Sequence, residues 1–173
     1  MSRSSVPPEN GDRADRSASR RTDYAGAIYG SILAASVVAT AGTGGEYPRI
    51  EAVVLLLVTG VVFWATHVYA QLVGERIVGQ AWSWREIRRI GGHEWSIVEA
   101  ATLPAAAVAV SALFDLSVST GLWIALGVAV AQQVMWACFG AARAGASRGL
   151  IVAEGFVNLA LGLVIVAAKV VLH

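Results

Sequence analysis

Five side chains in this chain could do chemistry where their neighbours could not: Glu99, Glu154, His67, Asn158 and Gln132. Crossing a hydrocarbon core takes about 20 mostly apolar residues. The uncharged run 100–114 reaches that length only by extending back through Glu99 to Trp95, and the run 155–168 only by extending back through Glu154 to Gly149. Both carboxylates are thereby drawn into the bilayer, where a charge is costly and tends to mark a pathway or a site. Counted at about 1.5 Å per residue from the Arg-rich end of each span, Glu99 and Glu154 lie roughly 8 Å deep, His67 roughly 10 Å, and Asn158 and Gln132 roughly 14–15 Å. Helical spacing gives shared faces: His67 with Gln71, Glu154 with Asn158 and Gly162, and His93, Ser96, Glu99 and Thr102 along one stripe. Two carboxylates, an imidazole and several amides suit a hard or borderline divalent cation, or a proton relay. The competing reading is that they only hydrogen-bond helix to helix and hold a bundle together. Pro104, beyond Glu99, removes a backbone hydrogen bond, and the freed carbonyl could line a cation path. Glu99 and Glu154 are expected to face one another across a shared vestibule.

The elements that must position these residues follow from composition and charge. The 173 residues are 56% hydrophobic with a mean hydropathy of +0.61, and 14% are charged, against about 25% in a soluble domain. Five spans are expected, at about 24–41, 50–74, 95–114, 118–142 and 149–172. Eleven basic residues fall in the segments on one side of these spans, while only Arg49 and Lys169 fall on the other. The positive-inside rule then puts the N-terminus in the cytoplasm and the C-terminus outside. Residues 1–23, polar and rich in Ser and Arg, read as a disordered cytoplasmic tail. The connection between the second and third spans contains an amphipathic cytoplasmic segment at 77–92. Ser83 and Glu86 fit a capping box there, Trp82, Ile87 and Ile90 alternate with Arg85, Arg88 and Arg89, and Gly91-Gly92 ends the segment. Such a helix belongs at the lipid headgroups.

Small residues recur every four positions at Gly26, Gly30 and Ala34, at Ala101, Ala105 and Ala109, and at Gly121, Ala125 and Ala129, where backbones can approach closely. Glu51 and Lys169, near the outer ends, could pair or snorkel. Cys138 is the one cysteine, which excludes an intramolecular disulfide and a cysteine metal cluster. Twelve of the thirteen basic residues are Arg, a bias expected of a GC-rich bacterium. The signatures of soluble enzymes are missing: there is no P-loop, nucleophile elbow, metalloprotease His pair or dinucleotide fingerprint.

The layout resembles the vacuolar iron transporter family. Gly26-Ala27-Ile28-Tyr29-Gly30 looks like that family's Gly-Ala-Asn-Asp-Gly opening, and Gly74-Glu75 like its Gly-Glu pair. Phe139-Gly140-Ala141-Ala142-Arg143, continuing through Gly155 and Gly162 to Lys169, is similar to its last two spans in glycine placement. The resemblance implies five spans with a cytoplasmic N-terminus, and a transport role for Glu75. It departs at Tyr29, which stands where the family has a metal-path Asp. The family's second-span methionine has no counterpart, and a short Arg/Trp segment replaces its acidic insertion.

The expectation is an all-α, five-span transmembrane bundle (24–173) behind the tail, in the cytoplasmic membrane of a bacterium. Its leading function is a small cation transporter or permeation protein, for a divalent metal or coupled to protons. Glu99, Glu154, His67, Asn158, Gln132 and Glu75 would act as its transport residues, and no particular metal is indicated. The alternative is a non-transporting scaffold or accessory subunit. An enzyme is not expected, nor a cofactor, nor a nucleic-acid partner. The expected partners are the lipid bilayer, a cation and a second copy of the chain in a homodimer.

Overall fold

Long apolar runs in lipid can satisfy their own amides as helices, and helices are what the described residues form. The computed structural model describes residues 9–42, 44, 46–74 and 83–172. In order these are α1 (Glu9–Thr40), α2 (Pro48–Gly74), α3 (Trp84–His93), α4 (Ser96–Ser111) with a 3-10 turn at Ala112–Phe114, α5 (Val118–Arg143) and α6 (Arg148–Leu172). Four helical stretches are long and apolar enough to cross a membrane: Pro48–Gly74, Ser96–Phe114, Val118–Arg143 and Arg148–Val171. A fifth apolar stretch, Tyr24–Thr40, is shorter.

The short stretch is also the most enclosed. Helices α2, α4, α5 and α6 stand side by side in that order, and α1 lies along the seam between α4 and α5. Ala27, Ser31, Ala34, Ala35 and Val38 of α1 are all buried. Ala34, Ala35 and Val38 join Leu56 of α2, Ala105 and Val108 of α4, and Leu122, Ala125, Leu126 and Ala129 of α5 in one core. The small-residue stripes build this interior, with Ala109 the exposed exception. Their use is clearest at Gly30, where an added Cβ would lie 2.7 Å from both the Ile97 carbonyl oxygen and Ala100 Cβ. Helices α2 and α6 turn Val54, Val58 and Val62, and Phe156, Leu163 and Val164, outward, as a lipid-facing surface should.

Three features differ from the sequence reading. The first helix begins at Glu9, so the backbone of residues 9–23, read as a disordered tail, continues α1. Propagation from a packed helix adds a hydrogen bond per residue and escapes the nucleation cost. Gly91-Gly92 does not end the amphipathic helix, which runs on to His93. Trp64 Nε1 donates to the Gly91 carbonyl at 2.8 Å, and a Cβ on Gly91 would sit 3.2 Å from that indole. The glycine thus provides a docking point on α2. Lys169 does not reach Glu51 or snorkel outward. It is 3% exposed, donates from Nζ to the Val38 and Ala39 carbonyls at 3.0 and 3.3 Å, and lies over the Trp123 ring at 5.7 Å. It satisfies carbonyls in the last turn of α1, where the helix dipole favours a cation.

The Ser83 cap is present, with its Oγ accepting from the Glu86 amide at 3.2 Å. Ile87 and Ile90 pack with Trp64, Val68 and Leu72, which lays α3 along the end of α2. The remainder of the expected amphipathic segment, 77–82 with Trp82, lies outside the described residues. At the end of the bundle away from α3, Arg49 donates to Ser111 Oγ at 3.1 Å and to the Leu116 carbonyl, tying α2 to the turn between α4 and α5. That turn closes on Asp115 in the left-handed region (φ 51), as the α5–α6 turn does on Gly145 (φ 76).

Candidate functional site

At the α3 end of the bundle, α1, α4 and α5 part around a cavity of about 760 Å³. Tyr24 and Ala27 line it from α1, Ser96, Glu99 and Leu103 from α4, and Gln132, Trp136 and Arg143 from α5, with His93 and Trp95 at the α3–α4 junction. Glu99 is exposed on α4, and its carboxylate is the one acidic group in the lining. Tyr24 and Trp136 meet at 6.0 Å between ring centroids.

Among the described residues, Ser96 Oγ, Gln132 Oε1 and Trp136 Nε1 are buried and find no partner, as does Gln133 Oε1 outside the cavity lining. Each such group costs about 1–3 kcal/mol, and Gln132 is 95% buried by its 5% exposure. Gln132 is half committed: its Nε2 donates to the Ala100 carbonyl at 3.3 Å. That is the acceptor four residues before Pro104, the one the missing proline N–H leaves open. The freed carbonyl expected to line a cation path is therefore taken by an amide, whose other end borders the cavity.

Asn158 does something plainer. Gln133 Nε2 donates to its backbone oxygen at 3.0 Å and to its Oδ1 at 3.3 Å, and Asn158 Nδ2 donates back to the Glu154 carbonyl at 3.0 Å. These bonds tie α5 to α6 and lie outside the cavity lining. Glu154 is exposed on α6 and is likewise not among the lining residues, so the cavity brings Glu99 and Gln132 together without Glu154 or Asn158. Glu75 falls outside the described residues.

His67 joins a group that the sequence reading missed. Its Nε2 lies 3.6 Å from Glu94 Oε2, while Gln71 Nε2 donates to Glu94 Oε1 at 2.5 Å. The expected shared face of His67 and Gln71 thus closes on Glu94, which is 1% exposed. Glu94 stands between α3 and α4, in the stretch read as an interfacial connection, and its burial comes from register. Helix α4 starts below the end of α2, so the junction is enclosed by α1, α2 and α3. The signal available was the i,i+4 His67–Gln71 pair lacking a partner of its own.

Among the described residues, no group of three or more His, Cys, Asp or Glu side chains converges as a metal site. Comparison of the chain with protein-family models, curated proteins and solved structures gave no match.

Proposed function

We propose that this is a five-span protein of a bacterial cytoplasmic membrane, N-terminus inside and C-terminus outside, that passes a small cation through the cavity between α1, α4 and α5. The observation that carries the reading is the set of unpaired polar atoms at Ser96, Gln132 and Trp136 around an exposed carboxylate. Gln133 and Asn158, away from the cavity, are bonded to one another through Gln133 Nε2, with one unpaired atom left at Gln133 Oε1 against three around the cavity. Groups kept buried and unpaired beside a cavity are placed for something that enters it. Glu99 selects for positive charge, and the faces of Tyr24, Trp95 and Trp136 favour a cation that keeps its hydration or is organic over a bare metal ion needing several hard ligands. Kinship with the vacuolar iron transporters is proposed for the bundle alone, because Tyr29, at the family's metal-path position, is exposed on α1.

The scaffold reading draws support from the α5–α6 amide bonds and from the Gln132 bond to Ala100. Flux separates the two. The full chain in proteoliposomes is expected to move tetraethylammonium or Mn²⁺ above the empty-vesicle rate. Glu99→Gln should abolish that movement, and Asn158→Leu should spare it. Flux of neither ion above background establishes the scaffold, and flux indifferent to Glu99→Gln refutes the pathway through this cavity.

A further inference from the structure

Glu94 is a nearly sealed carboxylate that the cavity does not include. We infer that Glu94 and His67 form a proton-binding site, and that the proton communicates with the cavity past the bare Cα of Gly26 and the hydroxyl of Ser96. The inference deepens the proposed transport by assigning its coupling ion, and it rests on that reading only for the use to which the proton is put.

Full burial disfavours an ionised carboxylate unless it is paired and well hydrogen-bonded. Among the described residues, Gln71 donates to Glu94 Oε1. Its Oε2 faces His67 at 3.6 Å, beyond hydrogen-bond length, so the two form a loose pair rather than a locked one. Passing a proton from the imidazolium Nε2 to Oε2 leaves a neutral imidazole and a neutral acid, so no net charge is created in the buried site. The His67 side chain is 41% exposed against 1% for Glu94, so the imidazole is the outer group of the pair and the carboxyl the inner one.

The other side of Glu94 leads to the cavity. From the point a Gly26 Cβ would occupy, Glu94 Oε2 is 3.5 Å away and Ser96 Oγ 2.6 Å. The two oxygens thus approach one another across the bare Cα of Gly26, at a position that any larger residue on α1 would fill. Ser96 Oγ is buried without a partner and lines the cavity, so it is poised to relay. Among the side chains described at this end of the bundle, the other titratable or charged groups are Tyr24 and Tyr29 on α1, Arg85, Glu86, Arg88, Arg89 and His93 on α3, Tyr69 near the end of α2, and Glu99 on α4. His67, Gln71 and the Gly26 notch lie against the carboxyl.

Infrared pH-difference spectra of the full chain in lipid nanodiscs test this without any solute. A buried protonated-carboxyl band should titrate, vanish in Glu94→Gln and persist in Glu99→Gln. His67→Asn should weaken or abolish that band's response to pH, since the neighbour that passes the proton is gone. Ser96→Ala should slow hydrogen–deuterium exchange of that carboxyl roughly tenfold or more, as loss of a positioned relay does. No titrating band, a band that survives Glu94→Gln, or a band unaffected by His67→Asn would show a static structural pair and overturn the site. Unchanged exchange in Ser96→Ala would overturn its link to the cavity. Cation flux is read separately through Glu99→Gln, so either idea can fail while the other stands.

Discussion

Gly30 is the position where one methyl group should do the most damage. An Ala there places Cβ 2.7 Å from Ala100 Cβ, 2.7 Å from the Ile97 carbonyl oxygen and 3.0 Å from Ile97 Cα. Carbon atoms sit comfortably at about 3.5–4.0 Å, so α1 and α4 must part by about 1 Å, and two of the three obstructing atoms are backbone that cannot rotate away. Overpacking of this kind costs about 1–3 kcal/mol, and the gap opened along the seam loses part of its dispersion contacts. The higher helix propensity of Ala returns about 1 kcal/mol, which leaves a net loss of up to about 2 kcal/mol. Gly26→Ala is the matched control. Its methyl meets Ser96 Oγ at 2.6 Å and then only the side-chain atoms Ile97 Cγ1 at 3.4 Å and Glu94 Oε2 at 3.5 Å. Ser96 can change rotamer, so the propensity gain should roughly cancel the strain. Unfolding both variants by SDS titration in mixed micelles, followed by circular dichroism, gives the comparison. A Gly30→Ala protein as stable as Gly26→Ala would refute the backbone contact between α1 and α4.

Pro104→Ala restores an N–H for the Ala100 carbonyl, so Gln132→Leu should cost less in that background than alone; a double-mutant cycle should give a coupling of about 0.5–1.5 kcal/mol. Lys169→Met removes the donor from two buried carbonyls and should destabilise the fold by about 1.5–3 kcal/mol in the same micelle assay, with Lys169→Arg intermediate. For the proposed topology, a fluorescent reporter active only in the cytoplasm should be bright fused to the N-terminus and dark fused to the C-terminus, and two bright fusions would remove one span.

How much of this was legible depends on what kind of coordinate a residue needs. Depth comes from counting, so the long helices start and stop within a few residues of the apolar runs, and Glu99 and Gln132 were found from spacing alone. Azimuth comes from neighbours. Glu99 and Glu154 count to the same depth, yet one turns into the cavity and the other is exposed on α6, because the small residues of α1 draw α4 and α5 together and leave α6 at the flank. Glu94 was hidden for a third reason. Its surroundings are made by three elements meeting at a junction, and no periodicity within one segment encodes such a meeting. The Ser83 cap, by contrast, is local and could be read directly.

The cation clamps at Lys169 and Arg49 sit at one rim of the bundle, and the hollow lies toward the other. Rigidity is thus invested unevenly along the bundle: cation-to-carbonyl bonds bind one rim, amide bonds at Gln132 and Gln133 hold the middle of α5 to its neighbours, and the far rim is left open around the hollow. Changes at the clamped rim should therefore be felt as lost stability, and changes at the open rim as altered chemistry.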